Sequence, residues 1–237
     1  PTAAVADRAQ EVALTDFDPD GELKVVAAAL YAVSSRGDAE LLEAARRMTR
    51  DERAAVLAAY VGKRLNRRHR PGRAFERTSY RFDVLGDYGA FRDLQRHRLL
   101  TLEWQRLTPR HGHVVPDAIA EAGAAGDWRG VMDESAKLHD AIDAAGLPEV
   151  ASYAVAMAYR VRFYMDMNAR EAMHVIELRT APQGHPAYRR ICQTMHRLIG
   201  ARHPAIADAM TFADHSVVEL ERLEAERAAE RRRTASP

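Results

Sequence analysis

Three segments of the chain alternate between apolar and polar residues, which is the pattern of a β-strand with one buried face. They are residues 11–17, 79–85 and 160–166. In the second segment Tyr80, Phe82 and Val84 are expected to point to one side, and the polar residues between them to the other. Residues 101–107 are expected to form a loop that leads into a strand. The pattern therefore predicts a few separated strands.

Helical periodicity occupies most of the remaining chain. Helices are predicted over residues 22–34, 39–48, 51–66, 90–100, 116–122 and 128–145, at Leu147-Pro148, and from residue 168 to about 233 with a break at His203-Pro204. Thr49 and Glu52 have the spacing of a capping box, and Asp20 is a candidate N-cap for the first helix. Long helices with separated strands indicate an α+β fold with a small, mostly antiparallel sheet.

The order of these elements predicts one domain over residues 11–215. Residues 1–10 carry no pattern and are expected to be a disordered lead-in, whereas residues 216–237 are expected to form a charged C-terminal helix and tail. Because the chain starts at Pro1 rather than Met, we expect a domain cut from a longer protein or a processed start.

Charge and composition exclude several classes of protein. With 35 Lys plus Arg against 34 Asp plus Glu, no global field attracts nucleic acid. No segment approaches the roughly 18 apolar residues that span a bilayer. Cys192 is the single cysteine, so no internal disulfide forms, and its amphipathic surroundings favour a buried, inert thiol. The expectation is a soluble cytoplasmic domain that does not bind membranes.

Common catalytic signatures such as GxGxxG, GxxxxGK[ST], HExxH, CxxC and GxSxG are absent from the sequence. His111 and His113 offer two imidazoles without a third ligand at metal-binding spacing, so a polar loop is favoured and no metal site is expected. The dense basic run at residues 64–73 is interpreted as a solvated connection that ends in Pro71-Gly72. Phosphate or nucleic-acid binding by this run is the less favoured alternative.

Polar groups suited to an anionic, planar ligand concentrate between residues 167 and 190. Asn168, Arg170 and His174 span two helical turns, and the last two are four residues apart and share a face. Arg179 falls where this helix is expected to end. An arginine at a helix C-terminus ordinarily caps the last carbonyls or interacts with the helix dipole. The alternative is that its guanidinium makes bidentate hydrogen bonds to an oxygen-rich ligand.

Arg96, His97 and Arg98 form an earlier basic group in the chain. Adjacent helical residues point about 100° apart, so these three are expected to fan around a helix end, where cations are favoured by the helix dipole. Surface charge is the favoured interpretation of this group, and an anion site is the alternative.

The two basic groups carry a resemblance to the flavin-dependent thymidylate synthases, the ThyX family, over about residues 11–199. EVALTDF, KVVAAALYAVSS and FERTSYRFDV resemble the family's opening strand, first helix and second strand. The family's RHR signature matches residues 96–98, and its Asn-x-Arg, His or Asn, and Leu-Arg block matches Asn168, Arg170, His174 and Leu178-Arg179.

The resemblance implies a homotetramer with active sites at subunit interfaces. It implies that FAD is held by Arg96, His97, Arg98, Asn168, Arg170 and His174, and that dUMP is bound by Arg96, Thr101 and Arg179. Arg179 would be the catalytic group that favours the activated pyrimidine. Methylenetetrahydrofolate would supply the carbon and reduced flavin the hydride, without a cysteine nucleophile.

The segment around the RHR signature departs from the family pattern. Trp104, Arg106 and Thr108 stand where a Glu, a Ser and an Arg are expected, and Asp93 stands where a Gln is expected. A carboxylate at residue 93 is expected to repel a nucleotide phosphate or to compete for its arginines. Two functions remain: a dUMP-methylating enzyme with a degenerate substrate site, or a non-catalytic interaction or scaffolding module of a longer protein.

Overall fold

The computed structural model of the protein describes residues 11–216. Within this range the chain divides into two units, which are described separately. The first unit contains residues 11–17 and 80–167, and the second contains residues 18–79 and those from 168 onward.

Four strands lie in the described range, and they form one sheet. They are β1 (Val12–Phe17), β2 (Ser79–Asp87), β3 (Thr101–Trp104) and β4 (Arg160–Asn168).

Ten α-helices lie in the same range. They are α1 (Gly21–Tyr31), α2 (Asp38–Arg47), α3 (Arg50–Val61), α4 (Tyr88–Leu94), α5 (Asp117–Glu121), α6 (Ala125–Ala144), α7 (Pro148–Ala151), α8 (Ala169–Arg179), α9 (Pro186–Gly200) and α10 (Pro204–Asp208). Three 3-10 turns, at Arg73–Arg77, Pro109–His111 and Ser152–Ala154, complete the elements. None of the described helices is long and apolar enough to cross a membrane.

The first unit is built on the sheet, whose strand order is β1-β2-β4-β3. β1 pairs antiparallel with β2, and β3 pairs antiparallel with β4. Tyr80, Phe82 and Val84 of β2 are fully buried, as their alternation predicts. Phe91 of α4 packs edge-on against Phe163 of β4, with ring centroids 4.9 Å apart. The predicted α+β fold with a small sheet is therefore confirmed.

α6 belongs to the first unit and covers a second, smaller cluster of apolar residues. Met132 packs there with Val155 and Tyr159, and the Tyr159 hydroxyl donates to the Met132 carbonyl at 2.5 Å. Because that phenol is desolvated, its pKa is raised above the ordinary value.

The second unit is helical. α1 is its most buried early helix, with Val25 and Val26 completely inaccessible, and α9 contributes Ile191 and Met195 to the core. The capping box predicted at Thr49 is present, since the Glu52 amide donates to the Thr49 hydroxyl at 3.2 Å.

Several predicted helix boundaries are wrong, and three of them change the placement of a basic group or of the C-terminal segment. α3 ends at Val61 rather than residue 66, because Gly62 takes a positive φ of 62° that stops the helix. α4 ends at Leu94 rather than residue 100, so Arg96–Arg98 follow the helix instead of lying on it. The helical run expected after α10 is not present at residues 209–216.

Asp20 lies at the N-cap of α1 as predicted, but its side chain does not make the expected capping contact. Asp20 occupies the N-cap position of α1 without a capping hydrogen bond from its side chain, and its carboxylate pairs with Arg46 instead. The expected lead-in at residues 1–10 and most of the expected C-terminal helix lie outside the described residues, so these remain predictions.

Candidate functional site

The second unit presents its candidate polar groups on α8. Asn168 is the N-cap, because its side-chain oxygen accepts from the Glu171 amide at 2.9 Å. The Ala169 amide donates to the Thr78 carbonyl at 2.9 Å, which fixes the start of the helix. Met173, Val175 and Ile176 are buried, so the apolar stripe predicted for this helix faces the core.

Arg170 joins α8 to the 3-10 turn that precedes β2. Its Nε donates to the Pro71 carbonyl at 3.0 Å, and one terminal nitrogen lies 3.2 Å from Glu76. The side chains of this ion pair are 29% and 28% exposed. A guanidinium has five N–H groups, so Arg170 keeps donors for a ligand after both contacts are made.

Arg179 ends α8 and is half-buried. Its guanidinium carbon lies 5.3 Å from the centroid of the Tyr188 ring on α9, within the range of a cation–π contact. The ring limits the directions that the guanidinium can take.

Cys192 lies on α9 in the same unit and is completely buried. Burial raises the pKa of its thiol to about 12, and the positive charge of Arg179 lowers that pKa by a smaller amount. The prediction of a buried thiol is confirmed.

We expect Cys192 to be unreactive towards a thiol reagent such as DTNB in the folded protein, because at pH 8 only about one thiol in 10⁴ is ionised when the pKa is near 12. Titration of the free thiol before and after addition of guanidinium chloride checks this. Labelling of the native protein within minutes would contradict it.

Two buried arginines frame α8 without having been recognised in the sequence. Arg64 forms a bidentate ion pair with Glu177, at 2.5 and 2.6 Å, and their side chains are 3% and 2% exposed. Arg189 donates to the Thr180 carbonyl at 2.8 Å and pairs with Asp214 at 3.0 Å. The signal for the first pair was present in the sequence: Glu177 adjoins Ile176 on the apolar face of α8, and a carboxylate there needs a partner.

The RHR group belongs to the first unit. Arg96 is exposed and pairs with Asp93 three residues earlier, His97 is buried, and Arg98 is exposed. Asp93 therefore contacts one of the arginines for which it was expected to compete, and its effect on a nucleotide phosphate stays a prediction. Thr101 begins β3 and is exposed.

A depression of about 500 Å³ in the first unit lies between the turn at Pro109–His111 and the second half of α6. Arg110, Asp140 and Asp143 line it. None of the predicted site residues lines it, so this depression does not represent the predicted ligand site.

Comparison with known proteins gives three results. A family model described as "Thymidylate synthase complementing protein" matches residues 13–205. A UPF0159 protein of Chlamydia muridarum (strain MoPn / Nigg) is 36% identical over 215 residues, which is 91% of this chain and 40% of the relative. A UPF0159 protein of Thermoplasma acidophilum is 34% identical over 222 residues, which is 92% of this chain and 44% of the relative. The chain thus spans less than half the length of these relatives.

A solved structure also shares the fold. The UMP/dUMP methylase PolB from Streptomyces cacaoi, bound with 5-Br dUMP, matches with a TM-score of 0.65 at 20% identity. The match covers 84% of this chain and 93% of that chain.

Proposed function

Because the chain belongs to the thymidylate synthase complementing protein family, we propose that it methylates dUMP with the help of FAD and methylenetetrahydrofolate. The observation that carries the proposal is the set of N–H donors along one helix. They are the Asn168 amide nitrogen at the N-cap, the remaining donors of Arg170 and the guanidinium of Arg179, which lie along α8. The fold shared with a protein that binds a dUMP analogue supports the nucleotide as substrate.

The donor set of α8 fits FAD, which is an anionic and oxygen-rich molecule. The oxygen of Asn168 is used by the helix cap, which leaves its NH₂ group to donate outward. Arg170 is held by Pro71 and Glu76, so its position is fixed before a ligand arrives. Asn168, Arg170 and His174 would hold the cofactor, and bound flavin would supply the hydride. The roles predicted for Arg96, His97 and Arg98 in binding FAD stay predictions.

Arg179 is proposed to bind the pyrimidine of dUMP. A guanidinium next to a ring oxygen stabilises the negative charge that develops on that oxygen as the ring is activated at C5. The Tyr188 ring beneath Arg179 holds the cation in place, so little reorganisation is needed when the charge develops.

The only cysteine of this chain cannot serve as a nucleophile for the pyrimidine. Cys192 is buried, and its pKa of about 12 keeps it protonated at neutral pH. Activation of the ring in this chain must therefore depend on binding and on electrostatic stabilisation rather than on a covalent thiolate adduct.

The proposal is tested by purifying the full chain and measuring three quantities. We expect a flavin absorption spectrum or FAD-dependent thermal stabilisation, binding of dUMP, and exchange of the C5 hydrogen of dUMP with solvent. A colourless protein that FAD does not stabilise and that does not bind dUMP would overturn the proposal.

A second candidate function is a non-catalytic interaction or scaffolding module. Neutralisation of Arg96 by Asp93 favours it, because that arginine is then less available to a phosphate. In this case the chain would bind neither FAD nor dUMP alone, and flavin binding would return only when the rest of a longer protein is present. The homotetramer implied by the resemblance also stays a prediction, which light scattering can check.

Replacing Asp93 by glutamine is expected to tighten dUMP binding by about three- to tenfold, because it releases Arg96 and removes a like charge from the phosphate. The gain is modest, since Arg96 is 65% exposed and its ion pair is screened by water. Titration calorimetry on the wild type and Asp93→Gln measures the change.

Glu149→Gln is the matched control, because it removes one negative charge from another exposed ion pair of the same unit, that with Arg106. We expect it to leave dUMP binding unchanged. Equal effects of the two variants would show that net charge, and not the release of Arg96, determines the affinity.

A further inference from the structure

Residues 63–70, here called the basic loop, display cations that the protein does not neutralise. Lys63, Arg68 and Arg70 are exposed and Arg67 is half-buried. Within the described residues 11–216, none of these four side chains forms an ion pair. Some exposed arginines elsewhere do have a carboxylate partner, such as Asp93 for Arg96 or Glu149 for Arg106. The basic loop is thus a local excess of positive charge on a chain that is nearly neutral as a whole.

The backbone of the basic loop is held by its own hydrogen bonds. The Arg68 amide donates to the Asn66 side chain at 2.9 Å, and the His69 amide donates to the Asn66 carbonyl at 3.1 Å. The Leu65 amide donates to the His69 ring at 3.3 Å. These contacts form a closed turn, so the backbone positions from which the cations project are defined.

Both ends of the loop are anchored to the core of the second unit. Arg64 was predicted to be a solvated cation, but it turns inward and pairs with Glu177. Its Nε also donates to the His69 carbonyl at 2.7 Å. At the other end Arg170 binds the Pro71 carbonyl. Gly72 lies against Tyr60, where a Cβ would be 2.1 Å from the phenol oxygen, so a larger residue there would require Tyr60 to move. The interpretation of this run as a loosely solvated connection is therefore incomplete.

The composition of the loop selects the chemistry of its ligand. Arginine donates two parallel N–H groups to a phosphate, and a loop whose backbone is already held loses little backbone entropy on binding. The loop contains no Phe, Tyr or Trp on which a base could stack, so it is suited to phosphates rather than to bases. Leu65 is its single exposed apolar residue, which is too little apolar surface to insert into a bilayer.

We infer that the basic loop binds the phosphodiester backbone of a nucleic acid, without reading its sequence. Near-zero net charge does not prevent this, because the contact is local and the screening length at physiological salt is only about 8 Å. The inference does not depend on the proposed methylation, since none of the four cations is assigned to the nucleotide site.

The test is fluorescence anisotropy of a labelled 20-mer oligonucleotide, single- and double-stranded, titrated with the full chain at several NaCl concentrations. Four phosphate contacts predict a slope of log K against log [NaCl] of about −3 for a single strand. Affinity should then fall by about 60-fold between 50 and 200 mM salt. For Arg67→Ala/Arg68→Ala/Arg70→Ala we expect a slope of about −1 and only about a fourfold fall over the same range.

The matched control is Arg36→Ala/Arg47→Ala/Arg50→Ala, which removes three exposed arginines of the same unit and changes the net charge equally. We expect it to keep the wild-type slope. A charge-preserving variant, Arg67→Lys/Arg68→Lys/Arg70→Lys, should also keep the slope, because the slope depends on the number of positive charges that contact phosphates. Circular dichroism of the alanine variant checks that it is folded.

Three outcomes would overturn the inference. One is no binding at 50 mM NaCl, and another is an equal loss of slope in the two alanine variants. The third is competition by polyglutamate, or by vesicles containing phosphatidylserine, that is as strong as competition by unlabelled oligonucleotide. The polyglutamate result would indicate an acidic polypeptide as the partner, and the vesicle result an anionic lipid surface.

Discussion

Glu177→Ala is expected to lower the free energy of unfolding by about 3–5 kcal/mol, because it leaves the guanidinium of Arg64 buried without its counter-charge. The two side chains are 3% and 2% exposed, so water cannot replace the lost carboxylate. Glu177 also accepts from the Phe212 amide at 3.3 Å, and Arg64 also donates to the Ala209 carbonyl at 3.1 Å. Removing the carboxylate therefore disturbs the basic loop, α8 and residues 209–212 together.

Urea unfolding monitored by circular dichroism measures this loss, and for a chain of this size a fall of about 6–20 °C in Tm should accompany it. Glu149→Ala is the control, because it breaks the exposed Arg106–Glu149 pair, in which Glu149 is 91% exposed, and should cost less than about 1 kcal/mol. In the double variant Arg64→Met/Glu177→Leu we expect most of the stability to return, since no unpaired charge remains. A loss below about 1 kcal/mol for Glu177→Ala would contradict the assignment of a buried ion pair.

Arg179→Lys is expected to lower the rate of C5 hydrogen exchange in dUMP by about 10²-fold or more, because lysine cannot place two N–H groups along one edge of a planar acceptor. The positive charge is retained, so the expected loss reports geometry rather than net charge. The thermal unfolding temperature should change little, since Arg179 is half-buried and a lysine ammonium can also make a cation–π contact with the Tyr188 ring.

The exchange rate and the dissociation constant of dUMP should both be measured for this variant. Arg197→Lys on α9 is the control, because Arg197 is exposed and contacts only Thr194 among the residues for which a hydrogen bond is described. Exchange at the wild-type rate in Arg179→Lys would remove Arg179 from the proposed chemistry while leaving its structural contacts intact.

Local periodicity predicted β1, β2 and β4 well and the helix ends less well. The expectation of a loop at residues 101–107 was wrong, because residues 101–104 form β3 by pairing with β4. β2 and β4 were recognised because a two-residue alternation is a local property of the sequence that burial on one face enforces. The end of α3 was missed because Gly62 and the inward turn of Arg64 decide it, and the partner of Arg64 lies 113 residues further along the chain. α4 was overextended because residues 95–100 carry no proline or glycine that marks its end.

The site residues divide in the same way. Family motifs drew attention to Asn168, Arg170, His174 and Arg179, but they could not show that Asn168 is also a helix cap and that Arg170 is also tied to Glu76. Arg189 was not recognised, because the sequence of an amphipathic helix does not distinguish a buried arginine from an exposed one. Its burial depends on contacts with Thr180 and Asp214, which only the folded structure shows.

By itself the sequence determined the α+β class, the strands with their buried faces, the capping of α3 and the polar groups of α8, because these depend on neighbours within a few residues. Only the tertiary structure decided which cationic side chains are bound by distant groups of the protein. Arg64, Arg170 and Arg189 are engaged by groups far away in the sequence, whereas Lys63, Arg67, Arg68 and Arg70 have no ion-pair partner in the range 11–216. The physical reason is that an arginine side chain is long and flexible, so its partner is determined by which distant segments fold beside it.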